Sequence, residues 1–245
     1  MSIDISVVVP AKNEQHNIAP LIREINQALS GNYQYEIVYV DDGSEDDTSQ
    51  RLFEIQNNQS NLRIIRHKNS VGQSTAVFNG VTSSRGTLIA TLDADGQNDP
   101  ADLPKLIDAA LNQPHHSHFC IAGYRKNRSG DSAWKRWQSK VANSIRQALL
   151  NDETPDTGCG LKVFSKETFM SLPYFDHMHR FLPALIKRRG GHIEVVEVNH
   201  RERLSGKSNY SFSNRAFVGL IDLFGVIWLI RRYKRAEVIE TNHES

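Results

Sequence analysis

No run of apolar residues in this 245-residue chain reaches the ~18 needed to cross a bilayer as a helix, so no membrane span is expected. Cysteine is scarce. Cys120 and Cys159 lack metal-ligand spacing, which argues against a cysteine metal site and for reduced thiols in a cytosolic protein. Neither sign of charge is in excess: 29 Lys and Arg meet 28 Asp and Glu, a net charge of +1, so no global field points to nucleic acid. The chain does not open on a basic stretch, an apolar run and a cleavage site, so no secretory signal is expected. There is no internal repeat and no low-complexity segment. What is left is enough chain for one large α/β domain with a sizeable core.

Short β-branched runs alternate with helical periods. Residues 5–9 form a strand that Pro10 ends, and Ile18, Leu21, Ile22, Ile25 and Leu29 recur with a helical period. Strands follow at 36–40, 62–66 and 87–92, with helices at 47–55 and 72–83 between them. Strand and helix in turn, four times over, predict a mostly parallel sheet covered by helices on both faces. Helices at 101–111, 132–150 and 180–189, strands at 118–123, 161–164 and 193–199, and a basic loop at 201–210 complete the pattern.

The chemistry gathers at strand ends. The fourth strand runs into Asp93, Asp95 and Gln97, two carboxylates and an amide oxygen, with Asp99 placed to cap a helix opened by Pro100. Hard oxygens of this kind suit Mg²⁺ or Mn²⁺ shared with substrate phosphates. The first strand ends in Pro10, Ala11, Asn13 and Glu14, the second in Asp41-Asp42-Gly43-Ser44, and the loop after the third contains Gly72. Parallel strands share a direction, so these tips lie along one sheet edge, where open α/β sheets bind ligands. Each tip alone is an ordinary turn or cap; three in register outline a nucleotide site. His177 and His179 lie close together, but without a third ligand they do not form a metal pair.

On these motifs the chain resembles the family 2 glycosyltransferases of the A-type fold, in the branch of dolichyl-phosphate mannose synthases and bacterial polyprenyl-phosphate relatives. The resemblance spans about residues 3–212. It rests on Val7-Val8-Val9-Pro10 with Asn13-Glu14, Val40 to Ser44, Asp93 to Gln97, Asp156-Thr157-Gly158-Cys159-Gly160, and Arg203 with Gly206 and Ser208. It implies a nucleotide-sugar donor such as GDP-mannose or a UDP-sugar, Mg²⁺ or Mn²⁺, and a polyprenyl phosphate acceptor. Pro10, Ala11, Glu14, Asp41, Asp42, Gly72 and Asp93 then serve the donor nucleotide. Asp93, Asp95 and Gln97 hold the metal. Arg125, Lys135 and Ser139 bind the acceptor phosphate, and Asp95 and Arg203 act on the leaving diphosphate. From His177 to Ile193 there is no Asp or Glu, where relatives that glycosylate hydroxyls usually place an acidic base. The alternatives are a transferase acting on a saccharide hydroxyl and a nucleotide-binding module without turnover.

The expected organisation is a catalytic domain at 1–212, its nucleotide half at 1–100 and its acceptor half at 101–212. A helix at 213–235 and a disordered tail at 236–245 follow. Ala216 to Ile230 is apolar nearly all round and collared by Arg215, Arg231, Arg232, Lys234 and Arg235. Such a helix is expected to lie in a membrane interface, or else to pack on the domain's own core or a twin subunit. The protein is therefore expected at the cytoplasmic face of a membrane, with a separate membrane protein or a second copy as possible partners.

Overall fold

The computed structural model describes residues 3–114, 118–126, 144, 146–201 and 212–234. Its centre is a seven-stranded sheet in the order β3-β2-β1-β4-β6-β5-β7. The strands are β1 (Ile5–Ala11), β2 (Tyr35–Asp41), β3 (Leu62–Arg66), β4 (Leu88–Thr91), β5 (Phe119–Arg125), β6 (Lys162–Ser165) and β7 (His192–Val198). The helices between and after them are α1 (Ile18–Leu29), α2 (Thr48–Gln56), α3 (Gln73–Ser83), α4 (Leu103–Leu111), α5 (Lys166–Met170), α6 (Leu182–Arg188) and α7 (Phe212–Arg232).

Strand alternation divides the core in two. In β1, Val7 and Val9 point into a cluster with Ile18, Leu21, Ile22 and Ile25 of α1. Val8 between them points into the opposite cluster, with Ala76, Val77 and Val81 of α3. All three valines are fully buried. Burying each contributes about 1.5–3 kcal/mol, so both faces of the strand stabilise the fold. A parallel strand covered twice reads as the continuous apolar run seen here.

One expectation is corrected. Pro10 does not end β1, which stays paired with β2 as far as Ala11–Asp41. Pairing with β4 stops at Val8–Thr91, so a residue without an N–H loses no ladder bond on that side. The sheet is mostly parallel, as expected, with β6 alone among the named strands running antiparallel to its neighbours β4 and β5. At the start of α2 the Asp47 side chain makes no cap bond; Asp46 Oδ1 accepts the Thr48 N–H at 3.0 Å. The short α5 had no periodicity to announce it and is held by Ser165 Oγ accepting the Thr168 N–H. By contrast Asp99 caps the helical turn at Pro100 as expected, accepting the Ala101 N–H at 3.0 Å.

In α7, Val226 is fully buried and packs with Leu223, Ile227 and Ile230 on the second cluster. Arg188 donates to Leu229 O, and Arg189 to the Tyr233 hydroxyl, which fastens the end of this helix to α6. Leu220, Ile221, Phe224 and Trp228 face outward and are exposed. No helix among the described residues is long and apolar enough to cross a membrane. Most of the expected helix at 132–150, the loop at 202–210 and the tail from 235 lie outside the described residues.

Candidate active site

The acidic tips of β1, β2 and β4 do meet along one edge, and each is fixed by local bonds. Asp41 is buried at the end of β2, where Oδ1 accepts the Ser44 N–H at 2.9 Å and Oδ2 accepts from Ser49 Oγ. Glu14 Oε2 accepts from Asn17 Nδ2 at 2.6 Å, and its backbone N–H donates to Thr48 Oγ1 at 2.9 Å. Those bonds join the β1 tip to α2.

Asp42 binds the loop after β3. Its oxygens accept from Ser70 Oγ, the Val71 N–H and the Gly72 N–H at 2.8–2.9 Å, and pair with His67 Nδ1 at 2.7 Å. Burial works against ionisation, but these bonds outweigh it and hold the carboxyl below its ordinary value. Four bonds fill the capacity of a carboxylate. Gly72 reaches its place with φ +97°, a conformation that costs glycine little.

The Asp93–Gln97 turn closes on itself and on its neighbours. Asp95 Oδ1 accepts the Gln97 N–H at 3.1 Å, and buried Asn98 accepts the Asp93 N–H at 3.3 Å. Asp93 accepts from Gln73 Nε2, at the start of α3, at 2.9 Å. Burial first, then the charge of Asp95, raise the Asp93 carboxyl to about 6, against the pull of Lys162, Arg125 and Gln73. Two carboxylates held together in partial burial repel each other, and a divalent cation between them relieves the repulsion. Among the described residues no group of three or more His, Cys, Asp or Glu stands ready for a metal. Two carboxylates plus substrate oxygens is nonetheless the usual Mg²⁺ arrangement, and the donor set fits it.

The Asp156–Gly160 turn lies against this loop. A Cβ on Gly160 would overlap the Asp93 carboxylate, coming 2.7 Å from Oδ1. Arg125, at the end of β5, is bidentate with Asp156, Nε to Oδ2 at 2.7 Å and Nη2 to Oδ1 at 2.9 Å. The cation expected on an acceptor phosphate thus already carries a carboxylate partner. Lys135, Ser139 and Arg203 lie outside the described residues. Arg201, which is described, joins the Asp93–Gln97 turn: its N–H donates to Gln97 O at 3.0 Å, and its guanidinium pairs with Glu24 and Asp99.

Sequence reasoning passed over Lys162 here and set His179 aside. Lys162 of β6 is only 4% exposed, and its ammonium donates to the Thr157 and Cys159 carbonyls. Together with Pro10, Gln73, Asp93, His179 and Leu182 it lines a small cleft between the strand ends and α6. The signal was a lysine inside an otherwise apolar strand, Leu161 to Phe164. His179 bonds Ser74 through Nδ1 at 2.6 Å. Its neighbour His177 has acids near it after all: Nδ1 lies 3.0 Å from Asp222 of α7 and Nε2 3.5 Å from Asp176. Asp222 is 45 residues away in the chain, which hid the pair from a local search.

The chain is similar to known proteins in both sequence and fold. Residues 6–172 match the family model for glycosyl transferase family 2. A dodecaprenyl-phosphate galacturonate synthase from Rhizobium johnstonii is 31% identical over 234 residues, 94% of this chain and 68% of that one. An undecaprenyl-phosphate 4-deoxy-4-formamido-L-arabinose transferase from Pseudomonas savastanoi pv. phaseolicola is 32% identical over 210 residues, 84% of this chain and 60% of that one. The chain thus spans three fifths to two thirds of these relatives. Among solved structures, glucosyl-3-phosphoglycerate synthase from Mycobacterium tuberculosis, in complex with Mg²⁺ and UDP, superposes with a TM-score of 0.67 at 19% identity. That match covers 91% of this chain and 80% of the other, a likeness of fold.

Proposed function

Since the chain belongs to glycosyl transferase family 2, we propose that it moves a sugar from a nucleotide-sugar donor onto the phosphate of a polyprenyl phosphate, with inversion at the anomeric carbon. The observation that carries this reading is the strand-end constellation: Asp93 and Asp95 beside Gln97, with Asp42 holding the loop that frames the nucleotide edge. Pro10, Ala11, Glu14, Asp41 and Gly72 complete that edge. Asp93, Asp95 and Gln97 would hold Mg²⁺ or Mn²⁺, which supplies positive charge to the diphosphate as it leaves. Arg203 adds a second positive charge there.

The acceptor side supports a phosphate rather than a hydroxyl. A phosphate monoester already carries ~1.5–2 negative charges at neutral pH, so it attacks without a general base. No Asp or Glu stands between His177 and Ile193 to serve as one. Cations must hold the acceptor phosphate near a second anionic group, and Arg125 and Lys135 are assigned that work, Arg125 in partnership with Asp156, with the Ser139 hydroxyl as a neutral donor to the same phosphate. Both relatives are named for polyprenyl-phosphate acceptors. Their sugars, galacturonate and 4-deoxy-4-formamido-L-arabinose, join mannose among the donors to try. The outward face of α7 and its basic end, Arg231, Arg232 and Lys234, are assigned to a membrane surface, and the reading takes this to be the cytoplasmic face.

The test is product formation. The chain is incubated with Mn²⁺, undecaprenyl or dolichyl phosphate, and a panel of GDP- and UDP-sugars, and lipid-linked sugar is sought by mass spectrometry. A glycosyl phospholipid from one donor is expected. Metal-dependent nucleotide binding without lipid product from any donor would move the reading to a saccharide hydroxyl acceptor.

A further inference from the structure

The cleft beside Asp93 holds a histidine that the reaction described above does not use. We propose that His179 determines donor specificity: its Nε2–H donates a hydrogen bond to a hydroxyl of the donor sugar, in the cleft between Asp93 and α6. This rests on the reading of the chain as a nucleotide-sugar transferase.

Position comes first. The cleft is bounded by Pro10 on the nucleoside side, by Asp93 where the diphosphate and metal belong, and by His179 and Leu182 on the side of the helix that faces the acceptor. A group lodged there sits between nucleotide and acceptor, where the transferred sugar must be. The lining suits a polyol. Asp93 and His179 bring polar groups to the lining, Lys162 brings positive charge with its ammonium held by carbonyls, and Val77 and Leu182 bring apolar surface.

The proton on His179 can be located from its partner. The backbone N–H of His179 donates to Ser74 Oγ at 3.4 Å, and the same oxygen lies 2.6 Å from His179 Nδ1. Ser74 is buried, and its hydroxyl meets no other partner among the described residues. Were Nδ1 the donor, the hydroxyl proton of Ser74 would have no acceptor among them. With Ser74 donating to Nδ1 both groups are satisfied, and on that ground we assign the ring proton to Nε2. Nε2 itself makes no hydrogen bond to the described residues. Burial, then the charges of Arg180, Lys162 and His177, push the imidazole down to about 3, so it is neutral at physiological pH. A neutral N–H held by a buried serine suits a hydroxyl. A phosphate would favour a charged ligand, and His179 is kept uncharged.

The experiment compares two ligands at one site. Calorimetry with Mn²⁺ measures, for the parent chain, the affinity for a nucleoside diphosphate and for each of a panel of its nucleotide sugars. His179→Leu removes the donor. His179→Gln keeps an N–H near the place of Nε2. For the sugar nucleotide that the parent prefers, His179→Leu should weaken binding about tenfold while the diphosphate binds as before, and His179→Gln should keep most of the affinity. The parent's preference among sugars should flatten in His179→Leu. Equal losses for diphosphate and sugar nucleotide, or no loss for either, would overturn the assignment and leave the transferase reading standing. A parent chain that binds diphosphate but no tighter with any sugar attached would also overturn it. A parent chain that binds no nucleotide would take the transferase reading down with it.

Discussion

Gly160 lies so close to Asp93 that a methyl group on it would overlap the carboxylate. The two come from opposite sides of the antiparallel seam between β4 and β6, and Thr91 Oγ1 donates to Gly160 O at 2.7 Å to hold the approach. Gly160→Ala must therefore push either the turn or the carboxylate aside. Overpacking of this kind costs about 1–3 kcal/mol, so the variant should still fold, with a lowered melting temperature. Its metal-dependent nucleotide binding should fall at least tenfold, by calorimetry with and without EDTA. Normal binding in a folded variant would show that Asp93 does not need this position.

Asp42 makes a contrasting prediction, because its carboxylate holds structure. In Asp42→Asn an amide nitrogen replaces one oxygen and faces N–H and O–H donors from Ser70, Val71 and Gly72. Hydrogen bonds to a charged acceptor are worth about 1.5–3 kcal/mol each, so a loss of about 2 kcal/mol is expected in urea melts. Since this carboxyl is held below its ordinary value in the folded chain, its contribution is complete above the unfolded pKa of ~3.9 and is lost as pH falls through the folded one. The gap between parent and Asp42→Asn should accordingly close in acid below about pH 4. A gap that stayed constant there would mean that the charge contributes nothing.

The first hundred residues were legible in the sequence because their signals are local. A short run of β-branched residues set between helical periods is a strand wherever it falls, and β3 matched to the residue. The residues after them were less legible because their bonds join distant parts of the chain. The antiparallel sense of β6 cannot be read from Lys162 to Ser165 alone, since a buried four-residue strand shows no direction. Arg125 looked like a free cation because Asp156, its partner, is 31 residues on. His179 looked idle because Ser74 lies 105 residues back. Nothing local gives Lys162 a partner, and only the turn that folds over it shows its ammonium capped by carbonyls.

Asp93 is raised in the folded chain, and the sign of its pH effect reverses that of Asp42. A carboxyl at about 6 in the fold, against ~3.9 unfolded, binds more protons folded than unfolded. Its favourable contribution is complete below about pH 4 and is lost as pH rises through about 6. In EDTA, Asp93→Asn should therefore melt higher than the parent at pH 7.5 by a few degrees, and this advantage should shrink at about pH 4.5. An advantage equal at both pH values would point to a change in packing instead of a relieved charge.

The last prediction concerns α7, whose two faces were expected as rival possibilities. Val226 and its neighbours settle on the core, while Phe224 is 64% and Trp228 59% exposed, with Leu220 and Ile221 beside them. Positions 220, 221, 224 and 228 fall on one side of a helix, so the apolar stripe is continuous, and Arg231, Arg232 and Lys234 stand at its end. Apolar side chains entering a lipid interface contribute about 1.5–3 kcal/mol each, and a cation near an anionic surface about 1 kcal/mol. The double variant Phe224→Ser, Trp228→Ser should lose at least tenfold in partition to phosphatidylglycerol-containing vesicles, measured by flotation, and bind nucleotide as before. Arg231→Ser with Arg232→Ser should lose less, and the loss should disappear in about 1 M salt, where charge is screened beyond ~3 Å. Unchanged flotation of the apolar double variant, together with a shift of the parent from dimer to monomer on the same substitutions, would assign the stripe to a second copy of the chain instead of a bilayer.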